Sequence, residues 1–477
     1  MEPEDFRHHA HMLVDWMADY MTRVEDMPVR AQVSPGEINE TLRGEAPKTG
    51  EPFQQIMADF EQDILPGITH WQHPRFMAYF PANASPPSIL AEMLTSTIGA
   101  QCMLWQTSPA ATEMETRVLD WLRQMIGMPD GFTGVIQDSA SSAILCAILT
   151  ARERATGWRV NEDGLGADDR LAVYTSTETH SSTEKNVKIA GLGRQSLRKV
   201  PVDECYAMRV DELERLILED KANGIVPACV VASIGATGVG AIDPLRAIGE
   251  ICRRHGIFLH VDAAWAGSAL VLEEHRWMID GVELADSLVF NPHKWMMTNF
   301  DCSAHFVRDP EALVRTLSIL PTYLQSRETG QVIDYRDWSV PLGRRFRALK
   351  LWFVLRSYGV EGIQAIIRRH IDLAEEMEGW FAADPNFELM APRVLSLINF
   401  RYHPPGIDDA ETLDRLNQTL IERINDDGRT YLTQNRVGGA FAIRVSIGQT
   451  STERRHVEQV WSTIAEIAQG LEPDNSR

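Results

Sequence analysis

Ser287-Leu288-Val289-Phe290-Asn291-Pro292-His293-Lys294-Trp295 is a short apolar run that ends in a turn and a lysine. A run of this length bounded by turn residues reads as a buried strand. Lys294 then stands just beyond a strand's carboxyl end, where parallel α/β sheets place their ligands. Lysines are usually surface residues, but the neighbours here are aromatic or apolar. An amine in such surroundings is partly desolvated, which lowers its pKa and favours Schiff-base chemistry with a carbonyl.

Working outward, Leu171 to Tyr174, Cys229 to Ser233 and Phe258 to Asp262 are further short strand-like runs, with helical patterns such as Pro244 to His255 between them. This alternation, which starts near residue 134, predicts a mainly parallel sheet wrapped by helices. Towards the N-terminus, Phe6, Ala10, Leu13, Met17 and Tyr20 form the stripe of an amphipathic helix that needs a partner surface. Near Pro341 the texture becomes helical, beginning with Phe346, Leu349, Lys350 and Phe353. The last clear helix carries Val457, Val460, Trp461, Ile464 and Ile467. Three parts are expected: a helical arm over 1–84, a large domain over 85–352 and a small C-terminal α+β domain over 353–477. Leu324 to Gln331 is polar and without periodicity, the pattern of a mobile surface loop.

The 477 residues, 44% of them apolar, suffice for more than one packed core. A formal net charge of -21 repels nucleic-acid phosphates and acidic membrane faces alike. The longest apolar stretch, Ala143 to Leu149, is too short to cross a bilayer. Cys102, Cys146, Cys205, Cys229, Cys252 and Cys302 are scattered without a C-x-x-C pair and read as buried free thiols. With an acidic N-terminus, Glu2-Pro3-Glu4-Asp5, the expected location is cytoplasmic. No metal site is expected, because His8, His9 and His11 do not share one helix face with a carboxylate or cysteine. Gly235-Ala-Thr-Gly238-Val-Gly240 imitates a dinucleotide fingerprint, but its glycines are in the wrong order and Ile242-Asp243-Pro244 delays the next helix. A nicotinamide-dependent dehydrogenase is therefore a distant alternative.

Other residues near strand ends carry chemistry. Asp262 closes its strand and precedes the small residues Ala263 and Ala264; it either caps the next helix or binds the protonated ring nitrogen of a cofactor such as pyridoxal phosphate. Ser139, Ala140 and Ser141 open an apolar helix, serving as ordinary caps or offering free N–H groups to a phosphate. His180, after the strand Leu171 to Tyr174, is either a surface histidine or a ring that stacks on a cofactor.

Taken together, Asn291-Pro292-His293-Lys294, His260-Val261-Asp262-Ala263-Ala264, the His180 segment and the run from Trp71 to Ser108 resemble the aromatic-L-amino-acid decarboxylases, of the group II pyridoxal-phosphate-dependent decarboxylase family. The most specific parts are His73-Pro74, Tyr79-Phe80-Pro81, Ser108-Pro109-Ala110, Asn299 to Ser303 and Pro341 to Arg347. The resemblance implies a fold-type-I transferase-like subunit, an obligate homodimer with the site at the subunit interface, and pyridoxal 5'-phosphate as cofactor. By the same resemblance Lys294 would carry the cofactor, Asp262 would pair with its ring nitrogen, and His180 would stack on its ring. Ser139, Ala140, Ser141 and His293 would hold its phosphate, with Thr237, Ala264 and Asn291 nearby. Trp71, Tyr79, Phe80 and Pro81 would form the substrate side-chain pocket. Gln101 and Met103 stand where larger apolar residues are usual and would line the partner's pocket. Gly343 would make room for an indole.

The implied reaction is decarboxylation of an aromatic L-amino acid (tryptophan, dopa, tyrosine, phenylalanine or 5-hydroxytryptophan) to its amine. Tyr323 would return a proton to the substrate's α-carbon, whereas relatives with Phe there release an aldehyde. The aromatic aldehyde synthase is thus the alternative closest to hand. More distant ones are an acidic amino-acid decarboxylase, for which Arg75 could supply the cation, and a non-catalytic cofactor-binding scaffold. Arg344, Arg345 and Arg347 read as structural.

Overall fold

The computed structural model describes residues 1–319 and 330–471. Its main sheet has seven strands: β1 (Thr133–Gln137), β2 (Leu171–Ser176), β3 (Leu197–Val200), β4 (Val226–Ser233), β5 (Phe258–Asp262), β6 (Ser287–Phe290) and β7 (Ser303–Val307). They lie in the order β1-β7-β6-β5-β4-β2-β3. β2, β5, β6 and β7 are buried along their whole length. Strands covered on both faces need continuous apolar runs rather than alternation, which is why these segments read as uniform. β2 to β6 pair in parallel, as the alternating pattern predicts. β7 runs against both β6 and β1. The sequence pattern did not show this reversal, nor the short strands β1 and β3.

Helices Ala140–Ala155, Val210–Ala222 and Leu245–His255 accompany this sheet. The last starts after Pro244, as expected, and ends at Gly256 in a left-handed conformation, φ 69°. The glycines of the false fingerprint have a packing reason. A Cβ at Gly235 (φ +83°) would come within 2.6 Å of the Ala266 Cβ, and one at Gly240 (φ +79°) within 2.8 Å of the Val394 Cβ.

By its internal contacts the chain divides into two units. The larger comprises Ala82–Asp372 and Ala391–Ile398 and contains the seven-stranded sheet. The other comprises Met1–Pro81, Leu373–Met390 and Asn399–Arg477. In the second lies most of a four-stranded antiparallel sheet, ordered β10-β11-β9-β8, from β8 (Phe387–Leu389), β9 (Leu397–Tyr402), β10 (Thr433–Val437) and β11 (Ala440–Ser446). Helices Ala410–Asp427 and Arg454–Gln469 also belong to it. The N-terminal helix Pro3–Arg23 carries the anticipated stripe, yet buries none of its residues. No helix among the described residues is long and apolar enough to cross a membrane.

One reading of the cysteines is corrected. Five of the six are buried free thiols, but Cys205 is exposed, because it sits in a polar turn whose Asp203 carboxylate accepts its N–H. Leu324 to Arg327, Glu328 and Thr329, from the loop expected to be mobile, lie outside the described residues.

The arginines read as structural are all engaged within the larger unit. Arg344 and Glu115, both nearly inaccessible, pair at 2.7 Å, and Arg344 Nη2 also donates to the Ile136 carbonyl at 2.8 Å. Glu115 accepts the Ile136 N–H in turn, stapling helix Pro109–Met125 to β1. Arg345 pairs with Glu92 and Arg347 with Asp301. Removing one partner of a buried pair strands the other charge. Glu115→Ala is therefore expected to lower the unfolding free energy by about 3–5 kcal/mol in urea titrations, with part of the loss recovered when Arg344→Met is added.

Candidate active site

The direction of the strands decides where functional side chains meet. β1, β2, β4, β5 and β6 all deliver their carboxyl ends to one edge of the sheet, and the reversed β7 brings its first residues there. Ser139, Ala140 and Ser141 follow β1, His180 follows β2, Thr237 follows β4, and Asp262 and Ala264 end and follow β5. Asn291, His293 and Lys294 follow β6. Residues as far apart as Ser139 and Lys294 are thus gathered by the strand directions.

Asp262 is 9% exposed, and its Oδ1 accepts the Ala264 N–H at 3.0 Å. This bond closes the turn after β5 and occupies one carboxylate oxygen; the next helical element, Ala266–Val271, begins after Trp265 without a side-chain cap, so Asp262 does not cap it. His180 keeps much of its surface exposed. Its pKa is nevertheless lowered by desolvation first and by Lys294 second, while Asp262 opposes the shift. The imidazole is therefore within reach of both the lysine and the carboxylate charge. The Ser182 N–H donates to His180 Nδ1 at 3.1 Å, so the neutral ring carries its proton on Nε2.

Ser139 is the N-cap of helix Ala140–Ala155, and its hydroxyl accepts the Ser142 N–H at 3.3 Å. The N–H groups of Ala140 and Ser141 precede any acceptor inside the helix and lie at its positive dipole end.

The Lys294 turn is held from several sides. Trp295 is fully buried, stacks on Trp265 with ring centroids 5.2 Å apart, and donates its indole N–H to His370 at 2.9 Å. The Asn291 N–H bonds the Ala264 carbonyl at 2.9 Å, and its side-chain oxygen accepts the Ser303 hydroxyl. His293 Nδ1 accepts the Cys302 N–H at 2.9 Å, leaving Nε2–H as its donor. Burial, with the charge of Lys294 second, pushes the His293 pKa down to about 3.

The other candidates fall in different places. Gln101 and Gly343 are neighbours: a Cβ on Gly343 would be 3.7 Å from the Gln101 amide, whose oxygen accepts the Arg344 N–H at 3.2 Å. With Arg345 and Phe346 they line an open groove of the larger unit, while the Met103 carbonyl accepts the Arg336 N–H at 3.0 Å. Trp71, Tyr79, Phe80 and Pro81 belong to the other unit. There Trp71 stacks on Tyr79 at 5.7 Å, the Tyr79 hydroxyl meets that of Tyr431 at 3.3 Å, and Phe80 lies under the Arg444 guanidinium at 4.9 Å. Tyr323 lies outside the described residues.

Sequence reasoning missed Ser182, which fixes the His180 tautomer. It also missed Asp243, a buried carboxylate that closes the loop after β4 by accepting the Ser233 and Met208 N–H groups at 2.7 and 2.8 Å. Asn83, which bonds the backbone of the Lys294 turn, was missed as well. Each works through backbone groups, and short polar residues in loops give no signal of such contacts.

A lysine amine, a nearly buried carboxylate, an imidazole and a helix N-terminus fit an aromatic aldehyde that bears a basic ring nitrogen and a phosphate. A family model described as the pyridoxal-dependent decarboxylase conserved domain matches residues 35–403. The chain belongs to the pyridoxal-dependent decarboxylase family. This decarboxylase is similar over its length to tyrosine decarboxylase 4 of Petroselinum crispum, 41% identical over 484 residues that cover 99% of this chain and 94% of that protein. It is equally similar to phenylacetaldehyde synthase of Arabidopsis thaliana, 41% identical over 481 residues, covering 99% and 97%. The crystal structure of Oryza sativa TDC with PLP and tryptamine matches it with a TM-score of 0.96 at 36% identity, over 98% of this chain and 99% of that one. The fold-type-I architecture, the cofactor and carboxy-lyase class expected from the sequence are thereby established for the decarboxylase.

A histidine with a folded pKa near 3 and an ordinary value of 6.5 takes up a proton on unfolding between those limits, so stability is greatest above pH 6.5 and falls as pH drops towards 3. His293→Asn is expected to reduce proton uptake on unfolding by about one in that window, read from the pH dependence of urea midpoints.

Proposed function

We propose that the decarboxylase removes the α-carboxyl group of aromatic L-amino acids, releasing carbon dioxide and the corresponding amine. The observation that carries this reading is the meeting of Lys294, Asp262 and His180 at one sheet edge, in a chain whose relatives include a tyrosine decarboxylase. When bound, pyridoxal phosphate supplies an electrophilic carbonyl and a ring that accepts the electrons left behind when carbon dioxide departs.

Lys294 would hold the cofactor's carbonyl carbon through its amine. The Asp262 oxygen not used by Ala264 would accept the ring N–H, and His180 would pack beside the ring. The Ala140 and Ser141 N–H groups, with the Ser139 hydroxyl and His293 Nε2–H, would hold the phosphate. Thr237, Ala264 and Asn291 complete the surroundings. Trp71, Tyr79, Phe80 and Pro81 supply flat apolar walls for an aromatic side chain, and the stack of Trp71 on Tyr79 supports that assignment. Gln101, Met103 and Gly343 tune its selectivity.

The protein acts as a homodimer, a reading supported by the N-terminal helix, whose Phe6 is 59% exposed and whose other stripe residues are only partly covered. Five buried thiols and no disulfide suit a reducing compartment, the cytoplasm. Acidic substrates are disfavoured because Arg75 spends Nη1 on Gln459 and Nη2 on the Glu25 carbonyl.

The second reading, an aldehyde synthase, draws support from the similarity to phenylacetaldehyde synthase. Tyr323 separates the two, since a hydroxyl donor at that position returns a proton to the substrate's α-carbon. Purified protein with pyridoxal phosphate and a panel of aromatic L-amino acids is expected to give equal carbon dioxide and amine in air. Tyr323→Phe should, with dioxygen as the oxidant, divert product to aldehyde and ammonia with reduction of the dioxygen to hydrogen peroxide, and Lys294→Ala should lower kcat by roughly a thousandfold or more. Aldehyde from the unaltered protein would establish the synthase instead.

A further inference from the structure

We propose that Asn83 is a positioning residue for Lys294, acting as the cap of the turn that carries it. The inference rests on the reading of Lys294 as the cofactor's lysine. The helical turn Pro292–Trp295 is only four residues long, closed by the Met296 N–H bonding the Pro292 carbonyl at 3.0 Å. Carbonyls at the end of so short a turn find no N–H donor within it. Asn83 supplies two donors: its backbone N–H bonds the His293 carbonyl at 3.0 Å, and its side-chain amide bonds the carbonyl of Lys294 itself at 2.9 Å. Ser85 continues the same strap, its hydroxyl bonding the Met297 carbonyl at 2.6 Å where Met297 adopts φ 47°.

The strap acts on the reactive residue more than on the fold. Trp295 already locks the far side of the turn by full burial and stacking on Trp265. Asn83, 1% exposed, fixes the lysine's own peptide plane. A lysine reaches its target through four flexible torsions, so the backbone controls the amine only by holding the Cα end still. A misplacement of about 1 Å there is enough to cost rate. Asparagine suits the task because one residue offers both a backbone and a side-chain donor in a buried place, where an unmade hydrogen bond is expensive.

The test compares full-length wild type, Asn83→Ala and Asn83→Asp, each with and without pyridoxal phosphate, with Lys294→Ala as the reference. Asp keeps the shape but loses the amide donor, so the test survives if Ala at this position impairs folding. Both Asn83 variants are expected to lower kcat and weaken cofactor binding about tenfold each, with KM for the amino acid changed less than about threefold. The visible absorption of the lysine–cofactor adduct should titrate at a shifted pH, and amide hydrogen exchange over residues 292–297 should quicken in the cofactor-free protein. Unchanged kcat and absorption titration in both variants would overturn the proposal. So would an impaired Ala variant beside a normal Asp variant, which would reduce the role of Asn83 to filling space. If Lys294→Ala kept the adduct's absorption and turned over substrate, the reading of Lys294 would fall first, whatever Asn83 did.

Discussion

The parallel pairing of β5 with β6 is the constraint on which the site depends. His260, Val261 and Asp262 stand opposite Ser287, Leu288 and Val289. Because side chains alternate between faces, a slip of one residue would turn every one of them to the wrong side. The ladder continues past the strand ends: Ala263 N–H bonds the Val289 carbonyl at 2.9 Å and Asn291 N–H bonds that of Ala264 at 2.9 Å. The carboxylate and the start of the lysine turn are therefore tied through backbone bonds as far as Asn291.

Around that ladder burial holds His293 and His305 down to about 3. His180 is lowered by the same cause and, next, by Lys294. In a chain with a formal net charge of -21 this is local desolvation at work rather than the overall field, which would favour protonation. A neutral imidazole has one defined donor and one defined acceptor. The Ser182 and Cys302 N–H groups decide which nitrogen is which.

Much of this was legible beforehand for physical reasons. β5 and β6 have the bounds read from their apolar runs, because a doubly covered strand must be apolar throughout. Lys294, Asp262 and His180 were read as candidates because chemistry at the carboxyl edge of a parallel sheet needs residues that follow strands, and the structure places all three at that edge. β7 was not found: Ser303-Ala304-His305-Phe306-Val307 looks like any other buried run, and nothing in a strand's composition records its direction. Asn83 was invisible for a different reason. Its partner is 211 residues away, and an asparagine that bonds a distant carbonyl looks the same in sequence as one that turns a loop. Cys205 misled because cysteine is usually buried, whereas its turn is fixed by Asp203 and stays at the surface.

The long separation between Asn83 and Lys294 also bears on how the protein is made. The cofactor edge is assembled from segments beginning near residue 83 and ending with β7 near residue 303, so most of the larger unit must be made before it is complete. Contacts of such range form late, after the entropy of closing the intervening chain has been overcome. During synthesis the first strand of the sheet emerges well before its antiparallel neighbour β7, and β1 waits at the sheet's margin for a partner some 170 positions downstream. Capture of the cofactor is thus a property of the finished large unit, and it records the completion of folding as well as the start of catalytic life.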